Sequence, residues 1–208
     1  MSPRGALAGL AVALAAYGMP EVRAATVTFE PGAFSPNRTR FGSAFGDLPG
    51  GIPVLTEDGI TMTLERLATG DITDFFLAET GGEFASFFPT TALGLEGMGV
   101  RFDFSGLPFD VTLVTLEFQE FGGTKNFAVN DATLFQLASL ATLPELVAPG
   151  VSAIVADGLI TVVGNVNSLR IGGQELAIDN ITAVPEPATI VLLGLSAVPL
   201  WWRRRARR

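Results

Sequence analysis

The chain of 208 residues has no cysteine and no histidine, and only one tyrosine and two tryptophans. Without cysteine there can be no disulfide, thiolate metal site or thiol nucleophile. Without histidine the commonest general base and the commonest transition-metal ligand are both absent, which weighs against most hydrolase mechanisms. Tyr17, Trp201 and Trp202 all sit near the ends, so the interior lacks the rings with a polar edge that suit stacking on sugars. Positive charge is scarce there too. Residues 25–183 hold nineteen Asp and Glu against six Lys and Arg, a net of −13. Such a surface repels phosphate backbones, so nucleic acid is disfavoured as a partner, whereas hard cations such as Ca2+ are compatible with it.

The two ends carry what the middle lacks. Arg4 precedes an apolar run from Ala6 to Tyr17, followed by the breakers Gly18 and Pro20 and by Val22-Arg23-Ala24. That order is a three-part secretory signal: a short helix of residues 1–24, cut by signal peptidase after Ala24. Its apolar core is too short to span a bilayer comfortably.

At the other end, residues 184–208 run Val184-Pro185-Glu186-Pro187-Ala188-Thr189, then the apolar stretch to Leu200, then Trp201-Trp202 and Arg203-Arg204-Arg205-Ala206-Arg207-Arg208. The prolines hold an extended, protease-accessible segment. The apolar stretch, residues 188–202, predicts a transmembrane helix of about 22 Å, short of the roughly 30 Å hydrocarbon core. Tryptophans suit the headgroup layer, and Arg203, Arg204, Arg205, Arg207 and Arg208 stay cytoplasmic by the positive-inside rule.

This order, at the extreme end of a chain with a signal peptide, resembles the PEP-CTERM sorting signal over about the last 24 residues. The resemblance implies transient residence in the inner membrane until an exosortase, a membrane-embedded cysteine protease, cuts near the motif. It also implies that Pro185, Glu186 and Pro187 are the recognition residues and the arginines the membrane stop. Release to the cell surface or medium follows, often in bacteria that make exopolysaccharide.

Between the ends, apolar and polar residues alternate with period two in Thr26–Glu30, Ile60–Glu65, Val100–Phe104, Val111–Phe118, Leu159–Val163 and Glu175–Ile181. Gly-Gly pairs at 50–51, 81–82, 122–123 and 172–173 are expected to turn the chain between strands. Pro31 to Thr56 predicts a long loop with one weak strand. Residues 133–146, with leucines at threefold spacing, are the one candidate for a short helix, stopped by Pro144. The expected fold is all-β: one antiparallel β-sandwich over residues 25–183, with most phenylalanines, among them Phe102, Phe104 and Phe118, in its core.

The first and last strands resemble those of jelly-roll, galactose-binding-like modules. That resemblance implies that the terminal strands pair and that Glu30 and Asp179 ligate a structural Ca2+, with Asn180 or backbone carbonyls completing the shell. Other acidic groups carry less. Asp71-Ile72-Thr73-Asp74 lacks the length and glycine of an EF-hand loop, and Glu117 with Glu120 is one adjacent pair among many acids. No Gly-x-Ser-x-Gly, P-loop or dinucleotide fingerprint is present. The expectation is therefore a non-enzymatic, exported structural or adhesive protein associated with exopolysaccharide. A carbohydrate-binding module with structural Ca2+ is the alternative, and a hydrolase the weakest.

Overall fold

A computed structural model describes residues 23–30, 40–41, 53–66, 77–80 and 87–185. Within them the protein is antiparallel β-sheet with almost no helix: thirteen hydrogen-bonded strands and one 3-10 turn. The strands are β1 (Ala25–Val27), β2 (Arg40–Phe41), β3 (Pro53–Glu57), β4 (Ile60–Arg66), β5 (Leu77–Thr80), β6 (Leu93–Glu96) and β7 (Met98–Asp103). They continue with β8 (Val111–Val129), β9 (Phe135–Leu137), β10 (Leu146–Ala148), β11 (Val151–Ala156), β12 (Leu159–Val163) and β13 (Ser168–Pro185).

The spine is the pair β8 and β13, of 19 and 18 residues, bonded from Val129↔Leu169 to Val111↔Pro185. On one side of it lie β12, β11 and β10, and on the other β6, β5 and β2. β7 pairs with the first half of β13 and carries β4 and β3 beyond it. The terminal strands pair, Ala25 with Ala183 and Val27 with Ile181.

Alternation dictates which faces are buried. Ile60, Met62 and Leu64 of β4 turn inward, as do Val114, Leu116 and Phe118 of β8 and Ile160 and Val162 of β12. The expected core phenylalanines Phe102, Phe104 and Phe118 are buried, and so is Phe127. Each fully buried large apolar side chain contributes about 1.5–3 kcal/mol. Two tight hairpins rest on Asp-Gly: Asp58-Gly59 (φ 49° and 87°) joins β3 to β4, and Asp157-Gly158 (φ 51° and 77°) joins β11 to β12. Two successive left-handed residues give the turn twist that matches paired strands.

Several expectations change here. Gly122-Gly123 and Gly172-Gly173 do not turn the chain between strands; they lie inside β8 and β13, where the pairing register shifts. Gly123 (φ 68°) supplies a left-handed residue, and a Cβ there would come within 2.1 Å of Gln174 Oε1. The pairs at 50–51 and 81–82 lie outside the described residues. Residues 133–146 form no α-helix. The edge of β8 captures Phe135–Leu137 as β9, and only Leu140–Thr142 makes a 3-10 turn, capped by the Ser139 hydroxyl.

No helix among the described residues is long and apolar enough to cross a membrane. The expected signal helix and the expected membrane helix, residues 188–202, fall almost wholly or wholly outside those residues. β13 runs through Val184 and Pro185, two residues beyond the expected boundary at 183.

Candidate functional site

The strongest cluster of chemistry-bearing side chains forms where β1 ends against the middle of the spine. After β1 the chain passes Phe29, buried and left-handed at φ 55°, which sets the direction of Glu30. The Glu30 carboxylate accepts from the Thr91 backbone N–H at 3.1 Å and from the Thr91 hydroxyl at 3.4 Å. Asp179, fully buried on β13, stands opposite Glu117 of β8. It accepts from the Thr90 hydroxyl at 2.6 Å and from the Asn180 N–H at 2.8 Å. Asn180, left-handed at φ 50°, donates its side-chain amide to Glu117 at 3.2 Å.

Burial pushes the Asp179 carboxyl above the usual carboxylate range. The hydrogen bonds from Thr90 and Asn180 pull it back, while the negative charges of Glu117 and Glu30 push it further up. The charged neighbours acting on Asp179 are thus both carboxylates. Such an all-oxygen set suits a hard cation and nothing softer.

The two residues expected to be ligands, Glu30 and Asp179, are brought together by the adjacent threonines 91 and 90. Glu117 joins them, which sequence spacing does not indicate. Their lone pairs are spent in part on those threonines, and among the described residues no three acidic groups stand in an arrangement that could hold a metal ion. As placed, the cluster latches residues 90–91 onto β1 and β13.

Glu117 and Glu120 have separate partners. Glu120 accepts from the Ser139 hydroxyl at 2.7 Å and the Leu140 N–H at 2.6 Å, capping the 3-10 turn, whereas Glu117 bonds Asn180. The buried amine of Lys125 donates to the carbonyl oxygens of Gly122 and, at 3.1 Å, Gly123. Burial holds its pKa below the ordinary lysine value, with Glu120 and Glu175 opposing. It is committed to the irregular stretch of β8. A cleft of about 420 Å3 beside the start of β8 is lined by Phe104, Ser105, Phe109 and Asn167, with Asp110 as its titratable group. One carboxylate does not make an acid–base pair. Asp71 and Asp74 lie outside the described residues.

Of the expected processing residues, Ala24 is exposed, and Ala25 directly after it is buried as the first residue of β1. Pro185 is the last residue of β13, opposite Val111. Glu186, Pro187 and the arginines from Arg203 to Arg208 lie outside the described residues. No family model, curated protein or solved structure matches the chain.

Proposed function

We propose that this is an exported protein whose β-rich domain is tethered to the inner membrane by its C-terminal segment and then freed by cleavage at Pro185-Glu186-Pro187. The observation that carries this reading is a sequence order: Pro-Glu-Pro, thirteen apolar or weakly polar residues, two tryptophans and an arginine cluster, beginning where β13 ends. Each part has a physical task in holding and releasing a membrane-anchored chain. Exosortase and signal peptidase are the processing partners, and the cell surface or medium is the destination.

The freed domain serves as a non-enzymatic structural or adhesive component associated with exopolysaccharide. Support comes from the lack of histidine and cysteine and from the commitment of Glu120 and Lys125 to backbone groups. In finer detail we propose a jelly-roll-like sandwich, the sheet bending back on itself at the glycine pairs of β8 and β13. Paired terminal strands and two-sided burial along the first half of β13 favour it. Intact-mass comparison of the protein from hosts with and without the exosortase tests the route.

A second reading, a carbohydrate-binding module with structural Ca2+, is favoured by the pairing of the terminal strands and by Glu30 and Glu117 lying near Asp179, although the three carboxylates would have to rearrange to hold the ion. A calcium-dependent melting midpoint that disappears in Asp179→Asn tests its metal component.

A further inference from the structure

One outward face of the sheet grades from apolar to acidic along the strand direction, as the pairing register reveals. Leu146, Ser152, Val163, Leu113 and Val184 stand side by side across β10, β11, β12, β8 and β13. Their chain neighbours Val162, Val114 and Ala183 are buried, so this row faces the other way. Leu146 is 67% exposed and Val163 43%. Two residues along the strands comes a second row of Ile154, Thr161, Thr115, Thr182 and Thr26. Two further on come Ala156, Leu159 and Glu117, beyond which a register shift in β13 leaves Glu117 paired with the buried Asp179. The first two rows carry no charge; Glu117 enters with the third, while exposed Glu145 and Asp110 flank the apolar row at the end of the sheet.

The apolar row lies at the end of the sheet from which the tail departs. Val184 is its member on β13, and Pro185 is the last strand residue. Three peptide steps lead from Pro185 to Ala188, where the apolar stretch begins, a reach of at most about 10 Å. Each headgroup layer of a bilayer is roughly 5–8 Å thick. Once the tail is inserted, the row is therefore held within reach of that layer.

We propose that Leu146, Val163, Leu113 and Val184 seat in the zwitterionic headgroup layer, so that the tethered domain stands on the membrane with this end of the sheet down. The proposal rests on the tether reading above. Charge favours this occupant over a second copy: two domains of net −13 repel one another, whereas a zwitterionic surface has no net charge. Anionic lipid would weaken the contact for the same reason. The effect fades with added salt, because the Debye length is about 8 Å at physiological ionic strength.

The absence of cysteine makes a direct test simple, since each introduced cysteine is a unique labelling site. The full chain, as Val163→Cys or Ala156→Cys, is placed in phosphatidylcholine nanodiscs and spin-labelled. Both positions are exposed, so the substitutions leave the core intact. The label at 163 is expected to lose access to an aqueous nickel chelate several-fold on reconstitution while that at 156 is unchanged. Trp201 and Trp202, the only tryptophans, report tail insertion separately through quenching by brominated lipid. Quenched tryptophans with a freely accessible label at 163 overturn the seated domain and spare the tether. Unquenched tryptophans overturn both. Shielding at 163 that appears only at several copies per disc, with 163–163 crosslinks, assigns the face to a second copy and overturns the proposal.

Discussion

Thr90 donates a 2.6 Å hydrogen bond to Asp179 across 89 residues of sequence, fixing the segment before β6 to the buried middle of β13. The same carboxylate lies in the field of Glu117 and Glu30, which with burial raises its pKa. A carboxyl whose folded-state pKa exceeds its unfolded value binds its proton more tightly in the native state. Stability then falls as pH rises through the window from the unfolded value, about 3.9, up to the raised one. Asp179→Asn keeps an acceptor oxygen for Thr90 and removes the charge. Relative to wild type, the variant is expected to gain stability between about pH 4 and pH 7, as read by thermal melts at both. A deficit that grows from pH 4 to pH 7 would show instead that the charge stabilises the fold, and an equal deficit would show that Asp179 titrates alike in the folded and unfolded states. Thr90→Val, which removes the donor, is expected to cost about 1–3 kcal/mol at pH 7.

The calcium reading predicts a higher melting midpoint in about 1 mM Ca2+, the range of weak extracellular modules, than in EDTA. Asp179→Asn should melt at the same temperature in both. A wild-type midpoint that ignores both additions removes Glu30 and Asp179 as ligands.

Gly123 is the position in β8 least able to accept a side chain. Its φ of 68° is left-handed, and an added Cβ meets Gln174 side-chain atoms at 2.1, 2.5 and 2.7 Å. Gly123→Ala is expected to destabilise the domain by about 1–3 kcal/mol in urea titration. Gly150, also left-handed but with open space around it, should lose less on the same substitution. Equal losses would mean that the irregular stretch of β8 yields to relieve the clash.

These sites also mark how far the sequence could be read. Strands with one buried face were legible because Ile60-Thr61-Met62-Thr63-Leu64 and Leu159-Ile160-Thr161-Val162-Val163 write their alternation plainly. β11 was not, since Val151-Ser152-Ala153-Ile154-Val155-Ala156 is apolar on both faces, one of which is the outward row. Gly122-Gly123 and Gly172-Gly173 look like turns locally, and only their cross-strand partners reveal two continuous strands. The Asp-Gly signals at 58–59 and 157–158 were present and mark the true hairpins. The threefold leucines of residues 133–146 suggested a helix, but an available edge on β8 offered better pairing.

The acidic cluster was half legible. Glu30 and Asp179 were indicated only by the resemblance of the end segments to jelly-roll modules; the terminal strands do pair, and Glu30 follows β1 by three residues. Glu117, Thr90 and Thr91 reach them across 61 to 89 residues, a separation that leaves no local pattern.

The tether and its release are decided by the intact mass of the mature protein, recovered from its native host and from that host lacking its exosortase. With the protease present, the chain is expected to begin at or next to Ala25 and to end near Pro185, while the protease-deficient host retains Trp201, Trp202 and the arginines. A mature protein that keeps both tryptophans in both hosts would contradict release and leave a permanently anchored domain.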